Sequence, residues 1–442
     1  MQGDFPTCLV SKVLTLSALS PQLCFAVQLD TQMLPLVLPV VEIAVVLLTV
    51  GCCYNRLACL SCLALLAAGV VGTLEALRGS SLHLDTLTYD SAKITGSASM
   101  QAAIYALDGF EIDWKMAKVP IPHHSQVSLL LRVKAVSVNP SNFKHPMVFT
   151  AWPFLRHIRD WPVGYDVSGV VLSVGTSSSC DVKVGDHVWG LSLGVAGEYA
   201  VVPCAWVAPI PGKLTHAEAA GLGVAGLTSM QAYERNSVQK GQQVLVIGAS
   251  GGCGQFGVGL AGAIGANVTG VCGTQNTDFV RGLYPGVSVV DYKSKTEMDA
   301  LIGKKQSFDV IYDTVSSSAP EDPDYEPTLR PVLKPDGTYI TIGPCPNVLD
   351  QIRGFLDVLT RFFQLRVQRP GYDWFLLAPS KALMKRLNGF FNSGALTRVA
   401  IDSVYDLTQS EDMIQLAIKR MKSRRAVGKI ILTFGNDTSI SG

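Results

Sequence analysis

Charge is scarce in this chain. Only 16% of its 442 residues are Asp, Glu, Lys or Arg, and 36 basic against 35 acidic side chains leave a formal net charge of +1. A surface so close to neutral lacks the basic stripe that nucleic-acid recognition requires, so no nucleic-acid partner is expected. A disulfide framework is missing as well. Six of the eleven cysteines (Cys8, Cys24, Cys52, Cys53, Cys59, Cys62) lie at or before Cys62, and Cys180, Cys204, Cys253, Cys272 and Cys345 are scattered singly. That pattern argues against disulfides and fits a reducing compartment. Cys59 and Cys62 form C-x-x-C, but their neighbours are almost wholly apolar, which favours a membrane segment over a zinc site. No internal repeat is present.

Hydrophobic residues make up 48% of the chain, and the excess sits in the first hundred positions. Met33 to Gly51 is one apolar run, broken by Pro35, Pro39 and Glu42; Leu57 to Leu74 is a second, with no charge. Each approaches the ~20 residues a helix needs to cross a bilayer. The polar turn Tyr54-Asn55-Arg56 between them predicts a transmembrane helical hairpin with both ends on one side. Glu42 then needs a partner or an interfacial position. A buried helical hairpin or a removed targeting segment are the alternatives. Residues 1–32 hold one Lys, no Arg and two Asp, a poor match to a presequence or a signal peptide.

From Met100 the texture changes. Gln101–Tyr105, Val127–Val138, the turn Val182 to Asp186 running into Trp189, and Glu198–Val202 predict a β-rich domain punctuated by Gly and Pro. Near Gly226 strands begin to alternate with helices. Val244–Gly248, Ala266–Val271, Val287–Asp291, Phe308–Tyr312 and Thr338–Ile342 are strand candidates at the spacing of a parallel, doubly wound α/β sheet. After Leu377 one long helix and a few strands are expected, ending with Gly428–Leu432.

The first of these buried strands runs into Ser250-Gly251-Gly252-Cys253-Gly254, and a small-residue helix follows. Glycines there let the backbone approach a pyrophosphate, and the helix start turns its N–H groups and positive dipole end to the anion. The second strand ends in Gly273-Thr274-Gln275-Asn276, without the acid that usually holds the ribose 2′-hydroxyl of NAD. Neutral Thr274 and Asn276 tolerate a 2′-phosphate, and Lys293 is a candidate counter-charge, so NADPH is favoured over NADH.

Taken in order, Val138-Asn139-Pro140, Gly164-Tyr165-Asp166, Gly185-Asp186, Gly197-Glu198-Tyr199, Ala219-Ala220, Leu227-Thr228, the glycine loop, Asp291-Tyr292-Lys293, Asp309 to Asp313 and Gly428-Lys429 form a motif series over residues 98–434. The series resembles the zinc-independent, quinone-oxidoreductase-like branch of the medium-chain dehydrogenase/reductases. Within it, it is most similar to the reticulon-interacting mitochondrial oxidoreductase group, and fungal trans-enoyl reductases are also similar.

The resemblance implies a GroES-like β-rich catalytic domain (98–225 and 377–434) split by an inserted Rossmann sheet (226–376). An N-terminal extension (1–97) precedes it and a tail (435–442) follows. It implies that Ser250, Gly251, Gly252, Cys253 and Gly254 hold the pyrophosphate and that Thr274, Asn276 and Tyr292 hold the adenosine end. Asn139 and Thr228 are then expected near the nicotinamide. Cys253 stands where the family usually has Val, and Gly273 where it often has Ser. A mitochondrial location is implied, with plastid and endoplasmic reticulum left open. Zinc-dependent relatives have Gly-His-Glu where this chain has Gly164-Tyr165-Asp166, and a four-cysteine lobe that the body lacks, so no metal is expected.

Without a metal, hydride transfer needs an acceptor that is already polarised, such as a lipophilic quinone or an α,β-unsaturated carbonyl. Lys144, five residues after Asn139, is the candidate donor to the developing oxyanion; the resemblance to the trans-enoyl reductases implies that it and Thr228 lie at the active site, with Asn139 near the nicotinamide. Tyr165 is a second hydroxyl in the right motif, and Asp166 reads as a core hydrogen-bonding group rather than a base. The aromatic stretch Met147–Trp161 (Phe149, Trp152, Phe154) could line the pocket, pack, or face a membrane. Three functions remain open: a membrane-tethered NADPH-dependent reductase, a catalytically silent nucleotide-binding subunit of a membrane complex, or a soluble enoyl reductase with a cleaved N-terminus. A homodimer is compatible with each.

Overall fold

The structure, a computed structural model, describes residues 99–108, 111–143, 162–177, 180–316, 323–343, 370–375 and 377–435. The expected hairpin at 33–51 and 57–74 lies outside them. Among the described residues no helix is long and apolar enough to cross a membrane.

The chain enters as an antiparallel hairpin of β1 (Ser99–Asp108) and β2 (Glu111–Pro120). The catalytic sheet then begins with β3 (Ser128–Val138), β4 (Asp166–Val174), β5 (His187–Leu191), β6 (Tyr199–Pro203) and β7 (Val207–Pro209). A capping box at Thr215 and Glu218 starts the short helix α1 (His216–Ala220), and a π-helical turn, Leu222–Gly226, leads into α2 (Leu227–Arg235).

The inserted sheet follows. Its strands are β8 (Gln243–Ile247), β9 (Asn267–Cys272), β10 (Ser288–Asp291), β11 (Phe308–Asp313), β12 (Leu333–Thr341) and β13 (Tyr372–Trp374). Between them run α3 (Gly252–Ile264), α4 (Thr277–Arg281), α5 (Lys295–Ile302) and α6 (Glu326–Leu329). The spatial order is β10-β9-β8-β11-β12-β13 with every pairing parallel, a doubly wound sheet. Val244, Leu245, Val246 and Ile247 are all buried because helices or chain cover both faces, which is why such strands read as continuous apolar runs.

The chain then returns to the first sheet. Helix α7 (Lys381–Asn392) is followed by β14 (Ile401–Asp406), α8 (Asp412–Lys422) and β15 (Lys429–Thr433). Two helices stand where one was expected. β15 slots between β14 and β3, giving the order β14-β15-β3-β4-β5-β7, with β6 on β3. One apolar core crosses the junction of the two sheets: Trp189 and Leu191 pack in it with Val244, Phe256, Leu383 and Phe391. Trp189 Nε1 donates to Asn388 Oδ1 at 3.1 Å, fixing α7 over β5. This is the GroES-like plus Rossmann arrangement that the motif series implied.

The cysteine reading needs one correction. Cys180 and Cys204 form a disulfide, with Cα atoms 4.8 Å apart and 24 residues between them in sequence. Isolated spacing concealed it, because the pairing is made by the sheet and not by the chain. Lys381 at the start of α7 spans the same spot, donating to the Cys204 carbonyl at 3.0 Å and pairing with Asp181.

Candidate cofactor and active site

The glycine loop follows β8 as the sequence predicts. Gly248 (φ +78°) turns the chain, and Gly251 occupies the N-cap of α3 without a side chain to bond the first-turn amides. A Cβ at Gly254 would fall 2.0 Å from the Gly248 carbonyl oxygen, so that glycine is required for packing. A Cβ at Gly251 would meet only that same oxygen, at 3.3 Å. The surface above Gly251 is therefore open backbone at the N-terminus of a 13-residue helix, a fit for a dinucleotide pyrophosphate, while Gly252 lies against the Lys429 stem. Cys253 turns its thiol inward towards Tyr312, and burial pushes it up to about 11. Its contribution to an anion is the backbone N–H, not a thiolate.

At the adenosine end, parallel pairing of β9 with β10 sets Asp291 opposite Cys272. One oxygen of Asp291 accepts the Thr274 hydroxyl at 2.5 Å, and the other accepts the Lys293 N–H at 2.9 Å. The Thr274 hydroxyl first, then the Lys293 amide, hold this carboxyl below the usual range. Thr274 has thus given its only side-chain proton to Asp291 and is left as an acceptor, not a phosphate donor. Asn276 Nδ2 donates to Ser250 Oγ at 3.0 Å, joining the adenosine turn to the glycine loop. Lys293 Nζ reaches Gln275 Oε1 at 3.2 Å, and the Tyr292 ring is 45% exposed beside Gly273. Lys293, Gln275 and Tyr292 thus cluster around Gly273 at this turn.

At the expected nicotinamide end the structure brings together Asn139, Asp166 and Lys429, which the sequence listed apart. Asn139 is buried at the end of β3. Its Nδ2 donates to Asp166 Oδ2 at 2.9 Å and to the Ser137 carbonyl at 3.3 Å, and its Oδ1 accepts Lys429 Nζ at 2.6 Å. Both amide protons are consumed internally, leaving one Oδ1 lone pair for a ligand. Thr228 is buried one residue inside α2, directly after the π turn. Lys144, His145 and the aromatic stretch 147–161 lie outside the described residues. Sequence reasoning missed the role of Lys429, which it noted only as part of a Gly-Lys motif.

Asp166 is fully buried. Burial pushes its carboxyl above the usual range, against the pull of the Lys429 ammonium and of the Asn139 and Val224 donors. Burial likewise raises Tyr165 above the ordinary phenol range, with Asp166 adding to it, so its hydroxyl stays protonated.

Comparison with known proteins agrees with this geometry. Residues 125–212 match the alcohol dehydrogenase GroES-like domain and residues 287–432 the zinc-binding dehydrogenase family. A chloroplast envelope quinone oxidoreductase homolog of Arabidopsis thaliana is 30% identical over 327 residues, covering 71% of this chain and 92% of that protein. The chain belongs to the medium-chain dehydrogenase/reductase family. Other similar members include an Aspergillus terreus trans-enoyl reductase, 30% identical over 324 residues (69% of this chain, 85% of that one). The human mitochondrial NAD(P)H oxidoreductase is 34% identical over 220 residues, 45% of this chain and 54% of that protein. The quinone oxidoreductase of Coxiella burnetii shares the fold, with TM-score 0.61 at 22% identity, over 76% of this chain and all of that one. The quinone-oxidoreductase-like branch fits these relatives. Among the described residues, no three His, Cys, Asp or Glu side chains converge as a metal site would require.

Proposed function

We propose that this medium-chain oxidoreductase is an NADPH-dependent, metal-independent reductase of a quinone or an α,β-unsaturated carbonyl, tethered to a membrane by its N-terminal hairpin. The observation that carries the reading is the uncapped, side-chain-free start of α3 joined directly to the catalytic sheet: the Gly428 N–H donates to the Ser250 carbonyl at 2.9 Å. The names of the relatives, quinone and trans-enoyl reductases among them, support the acceptor class.

A bound reduced nicotinamide would supply the hydride. The protein's part is to orient and to accommodate charge. The backbone N–H groups of Gly252, Cys253 and Gly254, at the start of α3, would hold the pyrophosphate. Asn139 offers its remaining Oδ1 lone pair as an acceptor to an N–H group of a ligand. Hydride arrival places negative charge on the acceptor oxygen, which needs a donor. Lys144, the Thr228 hydroxyl and the protonated Tyr165 hydroxyl are the candidates, and the proton follows from one of them or from water. Lys293 and Tyr292 would hold a 2′-phosphate, and on that ground NADPH is the proposed cofactor. A mitochondrial or plastid membrane is the proposed location, in keeping with the compartments named for the relatives.

The test is oxidation of NADPH by the purified full chain in detergent, offered a short-chain ubiquinone and a series of enones, with NADH in parallel. Thr228→Ala and Lys144→Ala should each lower kcat about tenfold or more, and Lys293→Ala should narrow the preference for NADPH over NADH. Tight NADPH binding with no turnover on any acceptor would instead make the chain a nucleotide-binding structural subunit.

A further inference from the structure

Asp166 is where three separate parts of the cleft meet. Its Oδ2 accepts Asn139 Nδ2, at the end of β3. Its Oδ1 accepts the Val224 N–H at 2.7 Å, inside the π turn that leads into Thr228. Lys429 Nζ lies 3.6 Å from Oδ2 while donating to Asn139 Oδ1, and the two charged side chains are 0% and 3% exposed. The π turn is pressed onto the carboxylate: a Cβ at Gly223 would stand 2.4 Å from Asp166 Oδ1. The stem of Lys429 supports the glycine loop, its Cδ lying 3.3 Å from where a Gly252 Cβ would be.

A buried ion pair is a poor device for stability, because desolvating two charges offsets most of their attraction. It is a good device for holding orientation. We propose that Asp166 and Lys429 are positioning residues: the pair locks the Asn139 amide, the π turn before Thr228 and the glycine loop into one geometry, and that geometry presents the bound nicotinamide to its acceptor. This rests on the reductase reading above. The chemistry of the lock is directional. Lys429 can only donate, and each Asp166 oxygen accepts an N–H here, so the Asn139 amide has one orientation, oxygen to lysine and nitrogen to aspartate. In the double variant Asp166→Asn with Lys429→Met neither neighbour imposes that orientation, and only the longer 3.3 Å bond to the Ser137 carbonyl still favours it.

The test compares the full chain with Asp166→Asn, Lys429→Met, the double variant and the conservative Lys429→Arg. The readouts are thermal midpoint, NADPH affinity, fluorescence of the bound reduced nicotinamide, and single-turnover oxidation by a short-chain ubiquinone. Each single neutralisation strands a buried partner and should lower the midpoint. The double variant should regain most of it and bind NADPH within about fivefold of the parent. Its single-turnover rate should still be down about tenfold or more, with nicotinamide emission moved towards that of free NADPH. A double variant that transfers hydride within about twofold of the parent, with parental emission, overturns the proposal and leaves the pair a packing feature. If neither single nor double variants fold, Lys429→Arg decides: altered emission at a parental midpoint supports positioning, and unchanged emission and rate overturn it. If none of the offered acceptors supports NADPH oxidation by the parent, the reductase reading fails by itself, and the emission of bound NADPH still decides whether the pair positions the ring.

Discussion

Two glycines of one loop should respond in opposite ways to the same methyl group. At Gly254 the added Cβ meets only backbone: the Gly248 oxygen at 2.0 Å, its carbonyl carbon at 2.7 Å and Ala249 Cα at 2.8 Å. Ordinary contact begins near 3.4 Å, so the end of β8 and the start of α3 must part by more than an ångström. Overpacking of this kind costs about 1–3 kcal/mol. For a body of this size that is a midpoint drop of about 2–5 °C before any ligand is added. Gly251→Ala meets a single oxygen at 3.3 Å, at an ordinary φ of −79°. Its cost to the free protein should stay within about 0.5 kcal/mol, since reduced freedom of the unfolded chain offsets a poorer N-cap. That methyl, however, occupies the surface offered to the pyrophosphate, and NADPH affinity should fall about 10- to 100-fold, or ~1.4–2.8 kcal/mol. Differential scanning fluorimetry without cofactor and a fluorescence titration with NADPH separate the two. Parental NADPH affinity in Gly251→Ala would refute the placement of the pyrophosphate. A parental midpoint in Gly254→Ala would refute the crowding argument.

Other expectations follow from the catalytic sheet. Asp402 pairs with Arg420, whose Nε donates at 2.7 Å, and accepts the Val427 N–H at 2.8 Å. Burial raises this carboxyl, but those donors outweigh it and hold the carboxyl below the usual range. A depressed carboxyl contributes stability above its unfolded pKa and loses it as pH falls through the folded one. Asp402→Asn should therefore cost about 1–3 kcal/mol at pH 7, and thermal melts should show the gap closing at the acid end; a constant gap would count against the pairing. Reducing the Cys180–Cys204 bond should cost about 3 kcal/mol through the unfolded state. Thiol titration with and without reductant checks it, and two free thiols at these positions in unreduced, folded protein would contradict the pairing.

How much was legible in the sequence depended on the kind of constraint. The doubly wound strands could be read because burial on both faces leaves continuous apolar runs, as in Val244–Ile247. β2 was not read, although Glu111, Asp113 and Lys115 alternate with Ile112, Trp114 and Met116 as in a half-buried strand; that alternation was the overlooked signal. The glycine loop was legible because its chemistry is local. The Thr274–Asp291 bond was not, since it is created by the register of two parallel strands, and it changes what Thr274 can offer. Lys429 sat in plain view in a motif, yet nothing local shows that its ammonium lies buried against Asn139, 290 positions away.

That same distance has a consequence on the ribosome. β15 pairs with β3, Ile430 opposite Val138, and supplies the strand between β3 and β14. At about 5–20 residues per second, translation leaves β3 waiting roughly 15–60 s for its neighbour. During that interval the inserted sheet can complete itself, while the Ala135–Val138 half of the β3 edge, which β6 does not cover, stands open to any passing strand. The first half of the catalytic domain is thus the part of the nascent chain that most needs a chaperone. A stop codon only a dozen residues early in β15 would leave a finished nucleotide-binding domain attached to a sheet that can never close.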